Sequence, residues 1–267
     1  MLLMAPLWKD PPPGLSVTDH LQFLDLLPVE QAGGPELQPY QGLADAWDDY
    51  GSYWLPDYPR FLAALARQRG TPLRSVLDLA CGTGLLTERL TRVSSEVVGL
   101  DASEPMVAFA RSRCAALPGV ELVSGDFRHF SLGRLFDAAV CASNSLNYVA
   151  DRGELSDVFR AVGNHLRPGG LFAFDTTAAC GMTSRGYEYL HFASDGHRFA
   201  LRFSYDNARR VENAIAILPT GVEIHRRIPI DPADVTAAAE GTGLDVADHF
   251  SSRGIPGTVF FVLTKRG

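Results

Sequence analysis

The sequence predicts an α/β domain with a doubly wound, largely parallel sheet, and three observations support this fold class. Apolar segments with strand and helix periodicity alternate regularly between residues 75 and 175. The turn CGTG at residues 81–84 joins the first of these strands to a helix, and its glycines permit backbone conformations that a Cβ disfavours. Asp101 and Asp126 follow the next two strands, at the edge where such sheets bind ligands.

The regular part of the chain contains five predicted strands connected mostly by helices. The strands span residues 75–80, 96–101, 120–125, 136–142 and 171–175. The helices span residues 85–93, 104–116 and 151–166. Asp151 and Glu154 have the spacing of a capping box at the start of the third helix, and RPGG at residues 167–170 ends it.

After the fifth strand the pattern changes to that of antiparallel strands. Residues 197–205 and 222–228 alternate apolar and polar side chains. A helix at residues 232–241 and strands at residues 245–250 and 258–264 would complete a seven-stranded sheet. We therefore expect residues 178–230 to form an antiparallel β insertion that covers the ligand edge of the sheet.

The segment before the first strand has two parts. Residues 1–39 are rich in proline, glycine and leucine and form an N-terminal extension, which could be a lid, a dimer arm or disordered. Residues 18–27 have helical periodicity within it. An aromatic helix is predicted over residues 40–68, since a basic last turn followed by Gly70 is typical of a helix end. One catalytic domain is expected over residues 40–267.

Composition and charge argue against several classes of function. The net charge of -7 disfavours nucleic acid as a partner, because binding a phosphate backbone relies on clustered Lys and Arg. No apolar run reaches the roughly 20 residues that span a bilayer, and the apolar N-terminus lacks the features of a signal peptide. The four cysteines show no C-x-x-C spacing, and the seven histidines show no metal-ligand spacing. We expect a cytoplasmic protein without a metal or a membrane segment.

The glycine turn and the two aspartates predict a site for a ligand with adenosine-like parts. Gly82 and Gly84 allow close approach of a ligand, and the following helix presents N–H groups and the positive end of its dipole. Asp101 lies about 20 residues after the turn, where a carboxylate can accept both hydroxyls of a ribose. Asp126, beside Phe127, could face an adenine amino group. Alternatively, each aspartate is a turn residue or a helix cap.

The ordered set of these motifs resembles the class I S-adenosylmethionine-dependent methyltransferases over about residues 72–177. The matching runs are VLDLACGTG at residues 76–84 for the methionine end, VGLDAS at residues 98–103 for the ribose and SGDF at residues 124–127 for the base. Ala80 stands where many members have a glycine. The resemblance implies a Rossmann-like seven-stranded fold and S-adenosylmethionine as cofactor. It implies cofactor contacts at Asp78, Ala80, Cys81, Gly82, Thr83, Gly84, Leu85, Asp101, Ala102, Met106, Gly125, Asp126, Phe127, Ala142 and Ser143.

Aromatic residues ahead of the first strand are candidates for contact with the cofactor sulfonium. Tyr40, Trp47 and Tyr50 could lie over the cofactor and offer their ring faces to its positive charge. Such an interaction contributes about 0.5 to 2 kcal/mol for each ring. These residues could equally belong to an ordinary aromatic core helix.

The residues after strand four are candidates for holding the methyl acceptor. The run ASNSLNY at residues 142–148 lacks the D/N-P-P-Y run of methyltransferases that act on base amines. The order of Asn144 and Tyr148 is similar to glycine N-methyltransferase and the amino-sugar N-methyltransferases, which have a histidine at the last position. Because Tyr148 replaces that histidine, we expect both residues to orient the acceptor while water takes its proton. The polar residues could also be turn residues bonded to their own backbone.

The predicted function is in-line transfer of a methyl group from S-adenosylmethionine to a nitrogen, or less favourably an oxygen, of a small polar metabolite. One alternative is a non-catalytic cofactor-binding subunit of a partner enzyme. Another is a NAD-dependent oxidoreductase, which the sequence disfavours because a G-x-G-x-x-G turn would need a small residue at Thr87. A small-molecule acceptor is the expected partner, and the sequence leaves a homodimer open.

Overall fold

The structure is a computed structural model that describes residues 36–44, 47–48, 55–182, 187–192, 198–218, 220–252, 255 and 257–267. Within these residues the strands are β1 (Glu36–Leu37), β2 (Ser75–Leu79), β3 (Glu96–Asp101), β4 (Val120–Ser124), β5 (Phe136–Cys141), β6 (Leu166–Thr177), β7 (Tyr187–Phe192), β8 (Arg198–Asp206), β9 (Val211–Leu218), β10 (Gly221–Arg227), β11 (Leu244–Ser251) and β12 (Thr258–Lys265). The helices are α1 (Tyr58–Arg69), α2 (Leu85–Leu90), α3 (Glu104–Cys114), α4 (Arg152–His165) and α5 (Pro232–Ala239), with a 3-10 turn at Ser145–Tyr148.

The larger sheet has seven strands in the order β11-β12-β6-β5-β2-β3-β4. Strands β2 to β6 run parallel, and β12 is antiparallel to both β6 and β11. The strand order reverses between β2 and β5, so the carboxyl ends of these strands border the crevice where an open α/β sheet binds its ligands. The predicted doubly wound seven-stranded sheet is confirmed.

Helices cover both faces of this sheet because its central strands are apolar on both sides. Val76 of β2 packs in one core with α1 and α2, which contribute Leu62 and Leu90. Leu77, on the opposite face of β2, packs in a second core with residues of α4 and α5. Phe159 of α4 is one of them. Burial on both faces is typical of parallel strands that are connected by crossover helices.

The second sheet has five strands in the order β1-β10-β9-β8-β7. Strands β7 to β10 form an antiparallel meander. This confirms the antiparallel insertion that was predicted after the fifth predicted strand, which is β6 in the structure. Strand β1 pairs in parallel with β10. Asn147 connects the insertion to the main sheet, since its side-chain amide donates to the carbonyls of Thr177 and Ile228. The division into an extension at residues 1–39 and a domain at residues 40–267 stays a prediction.

The helix that was predicted ahead of the first strand differs most from the structure. A continuous helix over residues 40–68 is wrong, because α1 begins at Tyr58 and is preceded by non-helical backbone. Asp57 caps its first turn. Tyr40 has a φ angle of 62°, which a right-handed helix excludes. The helix predicted at residues 18–27 lies outside the described residues.

Two predictions for the two ends of α4 also differ from the structure, one for the start of β6 and one for the capping box. Strand β6 extends five residues ahead of the predicted start at residue 171, and its pairing with β5 contains a register shift. The capping box is partial. Asp151 accepts from the Glu154 N–H at 3.0 Å, whereas the Glu154 carboxylate accepts from the N–H of Ala150 rather than that of Asp151.

Candidate active site

A cavity of about 710 Å³ lies at the carboxyl ends of the parallel strands β2, β3 and β5. The predicted site residues on its wall are Tyr40, Trp47, Asp78, Ala80, Cys81, Gly82, Thr83, Leu85, Asp101, Ala102, Met106, Asp126, Phe127, Ala142, Ser143 and Tyr148. Gly84, Gly125 and Asn144 do not line it. Tyr50 lies outside the described residues. The structure thus brings together residues from five separate segments of the chain.

The turn after β2 is built from left-handed backbone conformations. Ala80, Gly82 and Gly84 have φ angles of 53°, 56° and 80°, a region that favours glycine. A Cβ on Gly84, the N-cap of α2, would lie 3.0 Å from the Cβ of Ala110 in α3. Gly84 therefore permits close packing of these two helices behind the cavity, while Gly82 shapes the cavity wall itself.

Asp101 at the end of β3 connects the glycine turn to the following loop. Its carboxylate accepts hydrogen bonds from the N–H groups of Gly82 and Ser103, each at 2.8 Å. Burial raises the pKa of Asp101 above its ordinary value, and the backbone hydrogen bonds oppose that shift. Asp101 lies on the cavity wall, where the sequence places a ribose-binding carboxylate, and it also holds the turn in place.

Asp78 provides a buried carboxyl behind the turn, with 1% of its surface exposed. The hydroxyl of Thr87 donates to it at 2.6 Å. Burial raises the pKa of Asp78 to about 7, in opposition to the hydrogen bond from Thr87. Thr87 therefore has a hydrogen-bonding role at the position where a dinucleotide-binding turn would need a small residue.

An ion-pair cluster that the sequence did not predict holds the segment of Trp47 against the turn. Asp48 contacts both the Thr83 hydroxyl and the Arg113 guanidinium. Arg113 also donates from Nε to the Thr83 carbonyl at 3.0 Å and from Nη1 to Glu88 at 3.3 Å. Because Asp48 and Arg113 are 65 residues apart, no local pattern in the sequence indicates their pairing.

A second unpredicted cluster lies beside Tyr148. The hydroxyl of Tyr148 is 2.7 Å from that of Tyr40 and 2.9 Å from Nδ1 of His225. The Nε2 atom of His225 is 3.0 Å from Oε2 of Glu223. His225 is 3% exposed and Glu223 is fully buried. A continuous hydrogen-bonded chain therefore extends from the cavity wall into the protein interior.

Glu223 also binds the segment that carries Tyr40. Its carboxylate accepts hydrogen bonds from the N–H groups of Tyr40, Gly42 and Leu43. Burial opposes its ionisation, but the hydrogen bonds from His225 and from these N–H groups hold the pKa of Glu223 below its ordinary value. The two-residue period of β10, which puts Glu223 and His225 on one face, was the signal available in the sequence.

A third buried carboxylate, that of Asp175 in β6, holds the loop after β5. It accepts from the N–H groups of Ser143 and Asn144, at 3.1 and 2.8 Å, and from the Tyr58 hydroxyl. Burial raises the pKa of Asp175 to about 6 despite these hydrogen bonds. Ser143 and Asn144 have φ angles of 60° and 58°. The Oδ1 atom of Asn144 is buried without a hydrogen-bond partner in the described part of the chain.

Asp126 and Phe127 follow β4 and lie on the cavity wall. Arg128, which was not predicted as a site residue, pairs with Asp126 at 2.6 Å and with Glu154 at 3.1 Å. Burial opposes ionisation of Asp126, but hydrogen bonds and charge from Arg128 hold the pKa of this carboxyl below its ordinary value. An ionised carboxylate here can accept a hydrogen bond from an exocyclic amine.

Two further observations concern the described residues as a whole. None of their His, Cys, Asp and Glu side chains form a group of three or more that could hold a metal ion. No helix among them has both the length and the apolar character needed to cross a membrane.

Comparison with known proteins identifies the family. The family model described as a methyltransferase domain matches residues 76–170. A dTDP-4-amino-2,3,4,6-tetradeoxy-D-glucose N,N-dimethyltransferase from Saccharopolyspora spinosa is 30% identical over an alignment of 189 positions, which covers 67% of this chain and 75% of that protein. The chain belongs to the S-adenosylmethionine-dependent methyltransferases.

Other relatives of this methyltransferase match a shorter segment. A dTDP-3-amino-3,4,6-trideoxy-alpha-D-glucopyranose N,N-dimethyltransferase from Streptomyces venezuelae is 40% identical over 110 residues, which are 41% of this chain and 45% of that protein. The chain spans about half the length of several curated relatives that it matches, between 45% and 54%.

Solved structures share the fold of this methyltransferase. An S-adenosylmethionine-dependent methyltransferase from Clostridium acetobutylicum ATCC 824 matches with a TM-score of 0.74 and 20% identity, over 85% of this chain and 99% of that chain. The sugar N-methyltransferase KedS8 from Streptoalloteichus sp. ATCC 53650 matches with a TM-score of 0.63 and 27% identity, over 78% and 87%. The predicted class I methyltransferase fold is confirmed.

Proposed function

We propose that this methyltransferase transfers a methyl group from S-adenosylmethionine to the nitrogen of a small polar amine, with nucleotide-linked amino sugars as the acceptor class. One observation carries the proposal. A common cavity is lined by the glycine turn, Asp101 and Asp126 and by Tyr40 and Tyr148. The two relatives named above are N,N-dimethyltransferases of dTDP-linked amino sugars, which supports an amine as acceptor.

The lining residues fit the parts of this cofactor. Asp101 would accept hydrogen bonds from the ribose hydroxyls, and Asp126 with Phe127 would bind the adenine. Among the described residues, a Cβ at Gly82 would meet only Trp47, at 3.9 Å, so the missing side chain leaves room for the methionine portion. When bound, the cofactor supplies a methyl group activated by a positively charged sulfur. The ring of Tyr40 would stabilise that charge by about 0.5 to 2 kcal/mol.

Catalysis in this proposal depends mainly on alignment of the acceptor and exclusion of water. Asp175 fixes the backbone of the loop that leads to Tyr148, through its hydrogen bonds with Ser143 and Asn144. Asp48 and its partners fix the segment over the glycine turn. The acceptor nitrogen would therefore meet a wall whose polar groups are already oriented.

Calorimetric titration tests the cofactor assignment. The purified protein is titrated with S-adenosylmethionine, S-adenosylhomocysteine and, as a control, NADH. We expect micromolar binding of the adenosyl ligands and no binding of NADH. Binding of NADH alone would favour an oxidoreductase instead and would contradict the proposal.

A paired-acceptor assay tests the chemistry. Formation of S-adenosylhomocysteine is followed with dTDP-3-amino-3,6-dideoxy-alpha-D-glucopyranose, the amino sugar named for a Streptomyces fradiae relative, and with dTDP-6-deoxy-alpha-D-glucopyranose as the matched hydroxyl compound. Turnover of the amine alone is expected. Turnover of the hydroxyl compound alone would move the reaction to oxygen. Cofactor binding without turnover of any amine or phenol would favour a non-catalytic subunit.

Three broader properties also belong to this proposal. The net charge of -7 supports a small molecule rather than nucleic acid as the partner. Four cysteines without C-x-x-C spacing support a reducing, cytoplasmic compartment. A homodimer stays a prediction, and light scattering coupled to size-exclusion chromatography tests it.

A further inference from the structure

A hydrogen-bonded chain leads from the cavity wall into the protein interior. It contains Tyr40 and Tyr148, which line the cavity, and His225 and Glu223, which are buried on β10. Its three contacts, from hydroxyl to hydroxyl to imidazole to carboxylate, measure 2.7, 2.9 and 3.0 Å. All three lie within ordinary hydrogen-bonding distance.

The backbone donors on Glu223 determine the direction of this chain. N–H groups can only donate, and three of them, from Tyr40, Gly42 and Leu43, point at the carboxylate. An ionised Glu223 can only accept, so a neutral His225 must carry its proton on Nε2. Its Nδ1 atom then accepts from the hydroxyl of Tyr148. The Tyr40 hydroxyl in turn donates to the oxygen of Tyr148.

We propose that Tyr148 and His225 form a proton relay that deprotonates the acceptor amine, with Glu223 as the residue that positions the imidazole. This inference rests on the proposed function, because an amine that arrives as an ammonium must lose a proton before it can attack. Tyr148 lines the cavity and is the catalytic residue of the relay. His225 and Glu223 act through it and are positioning residues.

The step balances in protons and electrons. The acceptor ammonium passes one proton to the Tyr148 oxygen, while the Tyr148 hydroxyl proton moves to Nδ1 of His225. The neutral amine then attacks the methyl carbon. The carbon–nitrogen bond forms as the carbon–sulfur bond breaks, and the electron pair of the broken bond stays on sulfur. The imidazolium pairs with Glu223 and later returns its proton to solvent by the reverse path. A second methylation at the same nitrogen would use the relay again.

The surrounding charges are compatible with a transient imidazolium. Glu223 and the hydroxyl of Tyr148 are in direct contact with the imidazole, and the Tyr40 ring centroid is 4.8 Å from that of the imidazole. Arg227, farther along β10, is ion-paired with Glu212 of β9. The charges of Arg227 and Asp101 also act on Tyr40. Glu223 is therefore the charged group in direct contact with the ring.

The direction of the chain can be measured without any ligand. In protein labelled with ¹⁵N-histidine, NMR distinguishes an Nε2–H imidazole from an Nδ1–H imidazole, and His225→Gln assigns the resonances. We expect the Nε2–H form. We also expect Tyr148→Phe to shift the Nδ1 resonance more than the Nε2 resonance. An Nδ1–H form would mean that His225 donates to Tyr148, and this would overturn the relay.

A pH profile distinguishes the relay from a packing role. With dTDP-3-amino-3,6-dideoxy-alpha-D-glucopyranose as acceptor, His225→Gln and Tyr148→Phe should each lower kcat by about 100-fold near neutral pH. S-adenosylmethionine affinity should stay within about twofold. Above neutral pH, water deprotonates the amine, so each variant should recover about tenfold for each pH unit up to the pKa of the acceptor. A loss that stays constant with pH would overturn the relay.

Two further variants complete the design. Glu223→Gln should give a smaller loss with the same recovery at high pH, because the amide still holds the ring but favours the imidazolium less. His249→Gln removes a histidine from exposed β11, outside the cavity, and should leave kcat unchanged. If the wild-type protein methylates no amine, the proposed function fails, while the tautomer measurement still supports or overturns the direction of the chain.

Discussion

Asp78→Asn should alter the pH dependence of folding stability in a way that follows from one buried carboxyl. Asp78 is 1% exposed, and burial raises its pKa from 3.8 to about 7. Between these values the unfolded chain has released the proton and the folded protein has kept it. The unfolded state therefore binds fewer protons, and the free energy of unfolding falls as the pH rises.

The magnitude follows from the separation of the two pKa values. About three pH units, at about 1.4 kcal/mol for each, correspond to a loss of about 4 kcal/mol between pH 4 and pH 7. Asparagine keeps an oxygen that can accept from Thr87 but does not titrate. Asp101 and Asp175 are present in both proteins, so their contributions largely cancel in the difference. The stability advantage of the wild type over Asp78→Asn should therefore shrink by about 4 kcal/mol across this range.

Urea unfolding at several pH values between 4.5 and 8 measures this difference. Asp245→Asn, which changes an exposed carboxyl paired with Arg266, is a matched control and should show no comparable trend. A difference between wild type and Asp78→Asn that stays constant across the range would refute the reasoning, since it would show that Asp78 is ionised in the folded protein throughout.

Three other predictions follow from contacts at the glycine turn. Asp101→Ala should weaken S-adenosylmethionine binding by about 1.5 to 3 kcal/mol, the scale for a lost charge-assisted hydrogen bond; unchanged calorimetric affinity in a folded variant would contradict the ribose assignment. Arg113→Gln removes the partly exposed ion pair with Asp48 and should weaken the same binding by about 1 kcal/mol or less, with little change in thermal stability. Gly84→Ala should destabilise the fold by about 1 to 3 kcal/mol in urea unfolding, because its Cβ would crowd α3. Gly133 also has a positive φ, but a Cβ there would have no described residue within 4 Å, so Gly133→Ala should cost less stability. Equal losses in the two variants would attribute the effect to backbone conformation alone.

The cofactor side of the cavity could be predicted from the sequence because its determinants are local. Gly82 and Asp101 follow strands of an alternating pattern, and that pattern brings strand ends to one edge of the sheet. The Tyr148 side could not be predicted in the same way. Its partners, Tyr40 and His225, are 108 and 77 residues away in the chain, and only the folded insertion brings them together.

Asn144 shows why correct placement along the chain does not determine where a side chain points. The sequence places it after β5, beside the cavity, which is where the structure has it. However, its N–H binds Asp175 and its backbone adopts a left-handed conformation, so its side chain does not line the cavity. Ser145 has the local backbone bond that was the alternative for this loop, since its hydroxyl donates to the carbonyl of Ala142. Asn147 instead donates to the distant carbonyls of Thr177 and Ile228.

The carboxylate of Glu223 is shared between the segment from Tyr40 to Leu43 and the imidazole behind the cavity wall. Withdrawal of that segment would remove three N–H donors that stabilise the ionised carboxylate, and would therefore raise the pKa of Glu223. Docking of the segment and ionisation of Glu223 are linked equilibria, and each favours the other to the same extent. The segment that brings Tyr40 to the cavity thus also keeps Glu223 in the form that accepts from His225, so that the cavity wall and the hydrogen-bonded chain behind it are assembled together.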